Sequence, residues 1–103
     1  MTRRAALVVR DGVGCGAAPD GAHYGDVGSD TLRHVLAASP ALRLPNLEAL
    51  GLGLVGDVPG VRAVDTPRGA VTTCTPISAG KDSTTGHWEL CGVVLPRPFP
   101  TYP

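Results

Sequence analysis

Fourteen glycines and ten prolines punctuate the 103 residues, so the chain is broken too often to run as long regular elements. Its aromatic side chains are one Trp, two Tyr and one Phe, which leaves few large groups to bury. A self-contained small domain has fewer chain-breakers and more bulky side chains, so this composition reads as a loop-rich part of something larger. One domain is the upper bound for the length. Disorder is excluded, because 43% of residues are apolar and the formal net charge is zero.

The charge balance also narrows the partners. Arg3 and Arg4 form a basic pair, and no long run of like charge exists, so neither a nucleic acid nor an anionic membrane is attracted non-specifically. A small phosphorylated ligand, captured by a local site, stays open. Cys15, Cys74 and Cys91 are odd in number and lack metal-ligand spacing, which reads as reduced thiols. The opening Met1-Thr2-Arg3-Arg4 and the apolar Ala5 to Val9 faintly suggest a signal peptide, but the run is too short and Arg10-Asp11 ends it. No run reaches transmembrane length, and a cytoplasmic location is the expectation.

Ala5 to Val9 predicts a strand buried on both faces, as in a parallel sheet covered by helices. Asp11 would then stand at the carboxyl end of that strand, the edge where ligand sites of open α/β sheets gather. Gly12 to Gly28 is a long glycine-rich connection with a turn signal at Pro19-Asp20. Ser29 or Asp30 predicts the cap of a helix through about Ala38, with Leu32, Val35 and Leu36 on one face and Pro40 as a stop. Pro45 to Leu50 predicts a second short helix, started by Pro45 and ended by Gly51. Weak strand signals follow at Leu54-Val55 and Val61 to Val64, and Gly69 to Thr75 reads as a further strand. The proline-rich tail from Leu95 to Pro103 excludes regular helix and central strand.

The chemistry concentrates in Ser83-Thr84-Thr85, between Gly80-Lys81-Asp82 and Gly86-His87-Trp88-Glu89. A hydroxyl is a poor nucleophile until a base or a metal removes its proton. At a helix start it gains from free backbone N–H groups, and those of Thr84 and Thr85 could face a phosphoryl group. Such hydroxyls also commonly do no more than cap a helix. Gly80-Lys81 is not a phosphate loop of the Walker type: Thr75 stands where that pattern needs glycine, and Asp82 where it needs Ser or Thr. Gly12, Gly14 and Gly16 mimic part of a dinucleotide fingerprint without its ending. Asp11 could cap or turn the chain, or act as a hard-metal ligand. His87 reads first as a packed residue and Trp88 as core, while Glu89 could pair with Lys81 or cap backbone.

The segment from Gly80 to Glu89 resembles the nucleophile motif of phosphopentomutases. So do the opening strand with Asp11, the block Val13 to Asp20, Gly25-Asp26 with Gly28 to Thr31, Leu44 to Leu47 and Leu50 to Gly53, all in the family's order. The resemblance implies an α/β fold, part of an alkaline-phosphatase-like core with a mostly parallel sheet covered by helices. It implies two divalent metal ions, typically manganese (Mn2+), and interconversion of ribose 1-phosphate and ribose 5-phosphate and of their deoxyribose counterparts. In the family the hydroxyl residue after lysine-aspartate is phosphorylated and also contacts metal, a position held by Ser83. The aspartate after the first strand is a metal ligand, a position held by Asp11. Many relatives carry threonine at the first position, an apolar residue near Arg10 and serine in place of Gly12.

Residues 1–103 are thus expected to form the amino-terminal part of a metal-binding core domain, incomplete without a cap domain and a carboxyl-terminal core. The partner is a small sugar phosphate, with no nucleic acid and no membrane. Two oxygen ligands, Asp11 and Ser83, are too few for a tight site, so the chain alone is expected to be inactive and poorly stable. The alternatives are another phosphomutase of the alkaline-phosphatase superfamily, such as a cofactor-independent phosphoglycerate mutase, and a non-catalytic truncated chain.

Overall fold

A computed structural model of the chain describes residues 2–102. Met1, at the head of the signal-peptide-like opening, and Pro103, at the end of the proline-rich tail, lie outside the described residues. Three α-helices form: α1 (Thr31–Ala38), α2 (Pro45–Leu50) and α3 (Ser83–Leu90), with 3-10 turns at Gly21–Tyr24 and Leu52–Val55.

Helix α1 begins where an acidic cap is available. The Asp30 carboxylate accepts the Arg33 amide at 3.1 Å and the Arg33 guanidinium at 2.7 Å. Leu36 turns inward, but Val35 is left outside, so the predicted apolar face is narrower than its spacing suggested. Helix α2 has the predicted limits. Pro45 fits the first turn because its missing N–H needs no partner there. Gly51 ends the helix at φ 112° and gives its amide to the carbonyls of Leu47 and Glu48. Glu48, half-buried, takes Arg62 by its backbone amide and its guanidinium, at 3.0 and 2.9 Å, and thereby ties α2 to the loop beyond the 3-10 turn.

The expected sheet is absent among the described residues. Residues 5–9, 61–64 and 69–75 run as irregular chain, and Leu54-Val55 belongs to a 3-10 turn. A strand exists only through the ladder it shares with a neighbour. Among the described residues no segment pairs with Ala5 to Val9, and Leu7 and Val8 are 76% and 83% exposed. The long connection after Asp11 is also not wholly irregular, since Gly21–Tyr24 folds back within it.

Little is buried. Leu36 and Val58 are the buried hydrophobic residues among those described, joined by the polar Ser78 and Thr85. The accessible surface is 8267 Å², whereas a folded globular chain of this mass exposes about 5,400 Å². The radius of gyration is 15.9 Å, against about 13 Å for a compact domain of this length. The layout is a flattened body of 45 × 42 × 20 Å with its apolar side chains facing outward.

Candidate active site

The first turn of α3 carries the hydroxyl row. Asp82, not a hydroxyl, is its cap: Oδ1 accepts the Thr85 amide at 2.9 Å and Oδ2 accepts the Thr85 hydroxyl at 2.6 Å. The Thr85 amide is therefore occupied and unavailable to a phosphoryl group. Thr85 is buried by this contact, whereas Ser83 and Thr84 stay exposed. The Thr85 hydroxyl, and after it the Thr85 amide, holds the Asp82 carboxyl below its ordinary pKa.

Asp11 arrives from the other end of the sequence. Ser83 Oγ lies 3.3 and 3.4 Å from the two carboxylate oxygens of Asp11, across 72 residues. Both groups open onto a cleft of about 730 Å³, whose walls also include Arg10, Cys74, Lys81 and His87. Gly12 follows Asp11 at φ 73°, a left-handed turn that glycine adopts without strain.

The turn before Ser83 is braced on several sides. The Gly80 amide donates to the Tyr24 hydroxyl at 3.0 Å. Lys81 Nζ donates to Asp20 at 2.7 Å and sits 5.2 Å from the centroid of the Tyr24 ring. Lys81 thereby holds the Asp20 carboxyl below its ordinary pKa. The two carboxylate oxygens of Glu89 accept the amides of Ile77 and Ser78 at 2.9 and 2.8 Å. Ser78, 1% exposed, accepts the Leu95 amide at its hydroxyl, and Ala79 donates to the Leu95 carbonyl. The loop after Asp11, the segment before Ser83 and the chain leaving α3 are thus fastened together.

Of the two roles open to Glu89, it takes the capping of backbone and leaves Lys81 to Asp20. Two other side chains depart from expectation. His87 is exposed, not packed, and its Nδ1 lies 2.7 Å from the Ser83 carbonyl oxygen. That oxygen can only accept, so Nδ1 carries a proton. Trp88 is 44% exposed and meets Phe99 edge-on at 5.6 Å instead of entering a core. The Asp20–Lys81–Tyr24 group has no local sequence signal, because Lys81 lies 61 residues beyond Asp20. The cap at Asp82 had a local signal, an aspartate three residues before Thr85. Cys15, Cys74 and Cys91 are free thiols. Among the described residues no three His, Cys, Asp or Glu side chains come together as a metal cluster, and no helix is long and apolar enough to cross a membrane.

No family model matches the chain. Individual proteins do. It is 48% identical over 103 residues to the phosphopentomutase of Alkaliphilus metalliredigens, covering 100% of this chain and 26% of that protein. It is 48% identical over 101 residues to the phosphopentomutases of Herpetosiphon aurantiacus and Acetivibrio thermocellus, in each case over 98% of this chain and 26% of the relative. The chain therefore spans about a quarter of the length of these relatives. The likeness takes in Asp11, the turn that carries Ser83 and the loops that brace it. With nearly half of its residues shared along its whole length, the chain is similar to phosphopentomutases over about a quarter of their length, and that likeness implies an alkaline-phosphatase-like fold.

Proposed function

We propose that this chain carries the nucleophile half of a phosphopentomutase site, one that interconverts (deoxy)ribose 1-phosphate and (deoxy)ribose 5-phosphate through phosphorylated Ser83. The observation that carries this is the approach of Ser83 Oγ to the Asp11 carboxylate at the mouth of the cleft. Phosphorylated Ser83 passes its phosphoryl group to the free hydroxyl of the sugar phosphate, which gives up its proton, to form a bisphosphate; the freed Ser83 oxygen then takes the other phosphoryl group from that bisphosphate and the phosphoserine is restored. The cleft must admit a small, doubly charged sugar, and Lys81 places a cation on its wall.

Asp11 and Ser83 fit a divalent metal as part of its ligand set. A hard cation held at about 2.1 Å by two adjacent oxygens sets them about 3 Å apart, close to the 3.3 Å found here. Carboxylate and hydroxyl oxygens suit magnesium or manganese, and two such ions, Mn2+ in this reading, are the proposed cofactors. The metal, when bound, lowers the pKa of the hydroxyl and offsets phosphate charge. Such an ion takes about six ligands, so its other ligands come from parts of the family fold that this chain does not span. In the same reading, residues 1–103 are the amino-terminal part of the metal-binding core domain. The exposed Ala5 to Val9 segment becomes a strand when parallel neighbours from the rest of that core pair with it. A cytoplasmic setting agrees with three free thiols.

The test uses the full-length parent protein. Incubated with a pentose bisphosphate and digested, it should yield a peptide phosphorylated at Ser83, and it should convert ribose 1-phosphate to ribose 5-phosphate. Turnover with no phosphate on Ser83 overturns the role assigned to this residue. Turnover of phosphoglycerates in place of pentose phosphates overturns the substrate.

A further inference from the structure

Glu89 stands in the last turn of α3, six residues beyond Ser83, yet its carboxylate reaches back to the chain that precedes the helix. Two consecutive amides, of Ile77 and Ser78, each receive one of its oxygens. The contact closes a ring from residue 77 to residue 89, and Ser83 lies at its middle. Ser78 is the most buried side chain described, and the chain beyond α3 brackets it through both Leu95 bonds. Residues 77 and 78 are therefore a fixed base, and Glu89 sets where α3 sits upon it. A shift of the helix on that base moves Ser83 Oγ away from Asp11, because Asp11 belongs to a different stretch of chain.

We infer that Glu89 is a positioning residue: its carboxylate, by holding the Ile77 and Ser78 amides, fixes α3 so that Ser83 Oγ meets Asp11 in the reactive geometry. The inference rests on the mutase reading above. It adds that Glu89, which lines the cleft wall, acts through the loop and not on the sugar. Only a carboxylate presents two acceptors to two donors here. Glu89→Gln keeps the shape but turns an NH2 group towards one of the amides. Displacing a reacting group by about 1 Å lowers a rate by on the order of 100-fold.

The experiment uses the full-length parent with Glu89→Gln and Glu89→Asp. Initial rates are measured against ribose 5-phosphate and normalised to folded protein by near-ultraviolet circular dichroism. If Glu89→Gln does not fold, Glu89→Asp, which keeps both acceptors but is one methylene short, carries the test. The expected result is a kcat at least about tenfold lower, with KM within about twofold of the wild type and Ser83 phosphorylation slowed in step. A kcat per folded molecule within about twofold of the wild type overturns the inference, as does a loss confined to KM. The wild type separates the two ideas. If it neither turns over pentose phosphates nor accepts phosphate on Ser83, the mutase reading fails; if it does both and the variants match it, only the role of Glu89 fails.

Discussion

The hydroxyl oxygen of Ser83 and the carboxylate of Asp11, separated by 72 residues, stand 3.3 to 3.4 Å apart. Helix α3 supplies one and the loop after residue 10 supplies the other, and no single element contains both. The pair is assembled by the contacts around it, chiefly Gly80 on Tyr24 and Lys81 on Asp20. The site can therefore be lost either by deleting one of the two oxygens or by loosening the turn that aims them.

Deleting the hydroxyl is the sharper test. In the full-length parent, Ser83→Ala should lower pentose phosphate turnover by on the order of 10,000-fold or more, because it removes the hydroxyl proposed to bear the phosphate. Ser83→Thr keeps a hydroxyl at the same place and should retain most of the activity. Asp11→Asn removes charge but not bulk and should cost on the order of 100-fold or more. Removing divalent cations with a chelator should abolish turnover in the wild type, and returning manganese should restore it. Unchanged turnover after complete chelation would remove the metal role assigned to Asp11.

What the sequence reveals follows the range of the interaction. Helix α2 is bounded by Pro45 and Gly51, whose backbone preferences act on the residues beside them, and both limits are readable directly. Asp30 as the cap of α1 is of the same kind. The strands at 5–9, 61–64 and 69–75 are not, because apolar, β-branched residues become a strand only when a second backbone pairs with them. Trp88 reads as core for its size, but it stays 44% exposed and meets Phe99 edge-on. The approach of Asp11 and Ser83 is anticipated only through the resemblance of their surroundings. The brace Asp20–Lys81 is not, since it spans 61 residues; backbone capping by Glu89 is open, but not which amides it takes, because that needs the loop to turn back on its own helix.

Acid should loosen the nucleophile turn. The carboxyl of Glu89 is held below its ordinary value of 4.5, first by the Ser78 hydroxyl and then by the Ile77 and Ser78 amides. That of Asp82 is held below 3.8 by Thr85. A depressed carboxyl pKa stabilises the fold above the unfolded value, and the stabilisation is lost as pH falls through the folded one. In the full-length parent, the gap in Tm between wild type and Asp82→Asn should be full at pH 6. It should start to shrink as pH approaches 3.8 and continue shrinking below it. A gap that stays constant down to pH 3, measured by thermal melts in a pH series, would contradict the ionised cap.

Gly51 is the glycine whose replacement should be felt most in α2. Its φ of 112° is strained for any L side chain, and an added Cβ would sit 3.1 Å from the Pro67 Cβ and 3.2 Å from a Val71 methyl. The strain alone costs about 1–2 kcal/mol, and the crowding adds to it. Gly51→Ala in the full-length parent should lower Tm by a few degrees with little change in kcat, because α2 lies outside the cleft. A variant that melts with the wild type would show that the turn can adopt another path.

The 103-residue chain on its own should not melt cooperatively. Cooperative unfolding needs a core whose loss is all-or-none, and only Leu36 and Val58 are buried hydrophobic residues among those described. Leu7, Val8, Ile77 and Leu90 are each more than half exposed, a surface that covering segments of the family fold would shield. Calorimetry of the isolated chain should show no sharp heat-absorption peak, and a dye that binds exposed apolar surface should fluoresce with it at room temperature. Mixing with a separately produced remainder of the parent should quench that fluorescence and restore Ser83 phosphorylation. The same two outcomes should fail with Ile77→Asp, which puts a charge on one of these exposed apolar positions. A sharp, reversible transition from the monomeric chain alone would instead mean that its few buried contacts suffice, and that the bare apolar side chains need no cover.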